Sequence, residues 1–267
     1  MIRSALFSGD ILHMEFIECD LFMCVKDTLY ILNMKGLIRE DVILPSNGVK
    51  EILKFKDVVF LQIERYGYYY FKIGSPVLTK MEWRIEKMHV NANVIFSHKC
   101  TMSFLDSSTF QPRHIVTMPG KIIDFAEVGT DIYVLVDAHL CLIQGWRQNR
   151  GSVPIKFIEF LSHLKFISVT PGVLDLLILE SNHEMVVYGK EVLKSIKKTS
   201  GYQGYRVFGA LFILLLSDSI ELYCLNTYKM FIRLYFTPRA ITYDSCRGRL
   251  WVYSDSLYEI DISKLII

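Results

Sequence analysis

Seven short apolar runs punctuate the chain, each behind a polar or charged residue or at the start of a longer apolar stretch. They are LFMCV after Asp20, VVFLQI after Asp57, VIFS after Asn93, IYVLV after Asp131, LLIL after Asp175, FILLL after Leu211 and LWVY after Arg249. These anchors are separated by 37, 36, 38, 44, 36 and 38 positions. Behind most of the runs comes a polar turn and then a second β-type run, for example TLYILNM from Thr28, YYYFKI from Tyr68 and IELYCL from Ile220. Each such pair reads as a β-hairpin, and turns such as Lys26-Asp27, His98-Lys99 and Ser217-Asp218 have suitable chemistry. The runs are continuously apolar instead of alternating, as expected of strands covered on both faces. A period near 40 residues with several strands per unit predicts an all-β, seven-bladed β-propeller and excludes a helical solenoid, whose units would repeat every 3.6 residues.

Seven units nearly exhaust 267 residues, so the expectation is a single propeller domain over residues 1–267. Ile2–Phe7 precedes the first inner strand without a blade of its own, and is expected to pair with the last blade and close the ring. The long fourth spacing marks an insertion between Gly145 and Lys165, with room for a short helix or an outer strand. The Gly-His and Trp-Asp signature of the commonest propeller repeats is absent from all seven units.

Composition agrees with β structure: only 6 Ala stand against 29 Ile, and aromatics make up 13%. A formal charge of +2 sets up no field that would make nucleic acid or an anionic membrane the main partner. The longest apolar run, Val207 to Leu216, has about half the length of a membrane-spanning helix and reads as a buried strand. No signal segment is recognised at the start of the chain, and the six cysteines (Cys19, Cys24, Cys100, Cys141, Cys224, Cys246) contain no C-x-x-C pair; buried reduced thiols are expected.

Motifs for chemistry are sparse. His98 and Cys100 are two apart, but a structural metal site needs about four ligands. Asp137, His139, His183 and Glu184 are hairpin-turn residues, there is no G-x-S-x-G elbow, and Gly201-Tyr-Gln-Gly204 lacks the frame of a phosphate cradle. We therefore expect no catalytic residues, no cofactor and no metal. Lys190, Lys194, Lys197 and Lys198 form the one basic cluster: a solvated edge strand, or a contact for an acidic partner or lipid headgroup. Of the dense tyrosines Tyr66, Tyr68, Tyr69 and Tyr70, strand alternation sends about half into the core.

Several segments are collinear with one family. Val49–Ala92, with the opening VKEILKF and the tyrosine group, and Ile122–Trp146 resemble blades of the deep orange family of class C vacuolar protein sorting subunits. The match is best in FILLLSDSIELYCLNTYKM and AITYDSCRGRLWVYSDSLYEIDI, which carry Asp218, Asn226, Asp244, Gly248, Trp251 and Tyr253 of the family pattern. What the resemblance implies is a non-enzymatic scaffold of the HOPS and CORVET tethering complexes. It would be cytoplasmic and peripheral at endosomal and vacuolar membranes, act in docking and fusion, and have other tethering subunits as partners. In that family the propeller runs into an α-solenoid and a RING, whereas this sequence stops at Ile267. The alternatives are a propeller scaffold of a nuclear pore or ribosome-biogenesis assembly, and a propeller hydrolase.

Overall fold

The computed structural model describes residues 10–33, 37–107, 109–137, 139–147, 153–158, 165–172, 176–189 and 192–263. Within them lie seven antiparallel sheets, each built from consecutive strands. The first blade is β1 (Ile11–Ile17), β2 (Asp20–Val25), β3 (Thr28–Leu32) and β4 (Ile38–Ile43); the second is β5 (Val49–Phe55), β6 (Val58–Ile63), β7 (Gly67–Lys72) and β8 (Ser75–Lys80). The third holds β9 (Lys87–Val90), β10 (Val94–His98), β11 (Thr101–Leu105) and β12 (Pro112–Thr117). The fourth holds β13 (Ile122–Val128), β14 (Asp131–Val136), β15 (His139–Ile143) and β16 (Ile155–Phe157). The fifth has β17 (Phe166–Pro171), β18 (Leu177–Ser181), β19 (Glu184–Tyr188) and β20 (Val192–Lys197). The sixth has β21 (Tyr202–Phe208), β22 (Leu211–Leu216), β23 (Ile220–Cys224) and β24 (Lys229–Leu234), and the seventh has β25 (Ala240–Asp244), β26 (Arg249–Tyr253) and β27 (Leu257–Asp261). The fold is a seven-bladed, all-β propeller, as the repeat period predicts.

The second strand of every blade is an apolar run identified from the period. It is buried over most of its length because neighbouring sheets cover both its faces, as in β2 and β22. The fourth strands face solvent instead. Strand β8 (SPVLTK) and strand β20 (VLKSIK) are exposed almost throughout, and their Pro, Ser, Thr and Lys residues are those that blunt an open sheet edge. Two-residue turns join many of the strands, with the first turn residue left-handed: Glu18 (φ 57°), Lys26 (φ 55°), Lys56 (φ 57°) and Lys99 (φ 54°).

The chain divides into two compact units. One comprises the first, second, sixth and seventh blades; the other comprises Ile85–Tyr202 together with Leu225–Tyr228. In the first unit β1 packs against both β5 and β25, so the first and last blades adjoin. Met14, Leu21 and Met23 share a core there with Trp251 and Tyr253, and the Phe16 ring lies 5.8 Å from Trp251. In the second unit β13 is the hub, with its residues divided between a core shared with the third blade and one shared with the fifth.

The expected closing strand Ile2–Phe7 and the anchor Asp175 lie outside the described residues, and three strands of the seventh sheet are described. The insertion after Gly145 contributes an outer strand, β16. Of the clustered tyrosines Tyr68 is core, Tyr69 and Tyr70 are half-buried on opposite faces of β7, and Tyr66 is exposed.

Candidate functional site

Four inner strands share one irregularity that the apolar runs do not reveal. The register slips at their second residue, between Ile11 and His13, Val49 and Glu51, Ile122 and Asp124, and Phe166 and Ser168. The segments ILHM, VKEI, IIDF and FISV are thus equivalent, and each bulge re-aims a polar side chain at the same position. Sequence reasoning did not find His13, Glu51, Asp124 and Ser168. The recurring order apolar, any residue, polar, apolar at the head of these four strands was the available signal.

In the first unit this position builds a recessed ionisable cluster. His13 and Glu15 lie on β1, Glu51 on β5 and Arg206 on β21. His13 Nε2 stands 4.0 Å from Glu15 Oε2, too far for a hydrogen bond, and the two side chains keep 16% and 27% of their surface open. The surrounding protein nevertheless penalises charge strongly. Burial pushes the Glu15 carboxyl up to about 7, with Arg206 opposing and Glu51 adding to the rise. Burial and the Arg206 guanidinium push His13 down to about 4. Near neutral pH the imidazole is therefore uncharged and Glu15 is shared between its two protonation states, so this face can hold or release a proton.

In the second unit Asp124 at this position reaches the next blade, while Ser168 bonds within its own. Asp124 Oδ2 accepts the Val169 amide at 3.1 Å, and its Oδ1 lies 3.7 Å from Lys87 Nζ. Burial pushes its carboxyl up, with Lys87 opposing. Ser168 Oγ donates to Glu180 Oε2 at 2.9 Å, and Glu180 Oε1 accepts from Lys198 Nζ at 2.6 Å and the Tyr202 hydroxyl at 2.7 Å. Burial pulls the Glu180 carboxyl up, but these three donors together outweigh it and hold it below the usual range. Nearby Glu127, fully buried, accepts from Asn93 Nδ2 at 2.7 Å and Arg147 Nη2 at 2.8 Å. Burial also pushes the neighbouring His89 down, against the pull of Glu127.

The basic cluster is dispersed by the fold. Lys194 and Lys197 are exposed on opposite faces of β20, Lys198 is engaged by Glu180 and lies over the Tyr202 ring, and Lys190 is outside the described residues. The family-pattern residues take structural posts. Buried Asp244 accepts the amides of Cys246 and Arg247 at 3.0 and 3.2 Å, fixing the β25–β26 turn. Gly248 ends that turn at φ +66°. Trp251 fills the core between the first and last blades, and the Tyr253 hydroxyl donates to Asp10 Oδ1 at 2.9 Å. Asp218 and Asn226 are exposed turn residues; Asp218 accepts from the Ser219 hydroxyl. Among the described residues no three His, Cys, Asp or Glu side chains are grouped to hold a metal, and no helix is long and apolar enough to cross a membrane.

No known protein-family profile and no curated protein matches the chain. Solved structures do. A computationally designed protein, Ika8, aligns over 96% of this chain and 98% of its own at 10% identity and a TM-score of 0.61. The AfRom2 CNH domain aligns over 94% of both chains at 8% identity and a TM-score of 0.66. BamB from Moraxella catarrhalis covers 94% of this chain and 82% of its own at 16% identity and a TM-score of 0.57. These likenesses carry the fold alone.

Proposed function

We propose that the chain is a non-catalytic protein-interaction scaffold of a vesicle-tethering assembly, cytoplasmic and peripheral at endosomal and vacuolar membranes. The observation behind the scaffold reading is how the polar inner-strand groups are used. Asp124 accepts the Val169 amide of the next blade, the Tyr202 hydroxyl of the sixth blade donates to Glu180 of the fifth, and Thr242 accepts the Phe16 amide at 2.7 Å, so these groups hold blades together. Outer positions leave apolar side chains uncovered, with Ile43 75%, Val77 70% and Tyr235 75% exposed. The tethering part rests on the collinear resemblance from Val49 to Ile262. A native pull-down with the tagged chain tests it. Tethering subunits or endosomal Rab proteins are the expected recovery; nucleoporins or pre-ribosomal factors alone would overturn it in favour of another assembly.

The raised Glu15 beside His13 favours one second reading, a propeller hydrolase using Glu15 as the acid. That reading requires turnover on a panel of esters and glycosides that Glu15→Gln abolishes.

A further inference from the structure

Two cysteines at opposite ends of the sequence meet where the first and last blades adjoin. Cys19 is the second residue of the β1–β2 turn, behind left-handed Glu18. Cys246 sits in the β25–β26 turn, where the Asp244 carboxylate holds its amide at 3.0 Å. The Cys246 Sγ donates to the carbonyl of Glu18, the residue before Cys19, at 3.4 Å across 228 positions of sequence, which brings the two cysteine-bearing turns together. Both are free thiols; Cys246 is exposed and Cys19 half-buried. This corrects the expectation of buried thiols, which holds for Cys24, Cys141 and Cys224. Turns face solvent, whereas those three lie on covered strands. Burial pushes the Cys24 thiol up to about 12 and Cys141 up to about 11, and their covered strands keep them out of a reagent's reach, whereas Cys246 is exposed.

We propose that Cys19 and Cys246 are a modification site, a thiol pair that a small-molecule disulfide oxidises to a bridge joining the first and seventh blades. The exposed Cys246, as thiolate, attacks one sulfur of the small disulfide, forming a mixed disulfide and releasing one small thiolate. Cys19 then loses its proton and attacks the Cys246 sulfur, forming the Cys19–Cys246 bond and releasing the second small thiolate. Two electrons pass from the protein to the reagent, and the two thiol protons go to the departing thiolates or to water. Neighbouring Cys19 holds the Cys246 thiol above its ordinary range, so the exchange quickens as pH rises. A bridge here closes a loop of nearly the whole chain across a junction otherwise held by non-covalent contacts, and so constrains the unfolded state strongly.

The test incubates the full chain with oxidised glutathione, digests it without reduction and maps the cross-link by tandem mass spectrometry. The fragmentation must distinguish Cys19 from Cys24, which share a tryptic peptide. Expected are a Cys19–Cys246 bridge, loss of two titratable thiols, and a rise in Tm of roughly 10 °C that a reductant reverses. Cys19→Ser and Cys246→Ser should each abolish the bridge and the rise, while Cys100→Ser leaves both in place. A glutathione adduct that persists on Cys246, a bridge between other cysteines, or a bridge with no rise in Tm would overturn the proposal.

Discussion

Gly248 and Gly67 both hold left-handed backbone, at φ +66° and +92°, but differ in what a side chain would meet. A Cβ on Gly67 finds nothing within 4 Å, whereas one on Gly248 would stand 2.6 Å from Ser263 Cβ and 2.8 Å from its Cα. Gly67→Ala therefore pays only backbone strain, about 1–2 kcal/mol, partly offset by the smaller entropy of the unfolded alanine chain. Gly248→Ala adds a collision with backbone. Ser263 has to retreat, which breaks the Ile262 amide bond to the Gly248 carbonyl (3.0 Å) and draws fully buried Ile262 out of its core with Leu250 and Val252. Losing that bond costs about 1 kcal/mol, and partial unpacking of Ile262 a further ~1–2 kcal/mol. The expected total is about 3–4 kcal/mol for Gly248→Ala against about 1 kcal/mol for Gly67→Ala. Urea unfolding followed by tryptophan fluorescence reads both, with buried Trp251 as a local reporter. The Gly248→Ala midpoint should fall by about 1 M or more at an unchanged slope. Equal shifts for the two variants would refute the steric reasoning.

Three further perturbations address the polar inner strands. Raised Glu15 contributes stability that is fully present below about 4.5 and lost as pH climbs through about 7, while depressed His13 contributes stability present above about 6.5 and lost as pH falls towards about 4. Glu15→Gln removes only the first effect, so between pH 5 and 8 the variant should gain on the wild type by a few kcal/mol, on the order of two pKa units of linkage; parallel urea-midpoint profiles across that range would contradict this. Glu127→Ala strands Asn93 and Arg147 and should cost about 3 kcal/mol, with Arg147→Ala costing less in that background than alone; additive costs in the double-mutant cycle would deny the coupling. Thr242→Val keeps the shape but deprives the Phe16 amide of its acceptor, and thermal denaturation should register a loss of about 1–2 kcal/mol, with no change counting against the stitch.

What could be read before folding, and what could not, follows from the range of the interactions concerned. A strand covered on both faces must be apolar along its whole length, so β2, β6, β10, β14, β18, β22 and β26 announce themselves locally, and their spacing yields the number of blades. Two-residue turns are local too. The inner strands are different, because their polar side chains answer to the neighbouring blade. Asp124 is satisfied by Val169, 45 positions on, and Thr242 by Phe16, 226 positions back. Nothing in the residues around Asp124 distinguishes a carboxylate that binds a substrate from one that binds the next strand. The lysines illustrate the converse: Lys194, Lys197 and Lys198 look like one basic patch, but strand alternation separates the first two and Glu180 captures the third. The Glu15 recess carries this furthest. Burial and Glu51 from the next blade raise its carboxyl while Arg206 from the sixth pulls it back, so its proton affinity is a property of three sheets that no single segment contains. A sequence repeat of about 40 residues thus specifies each blade, while the chemistry available to the protein arises from pairs of blades and depends on which ones the fold sets side by side.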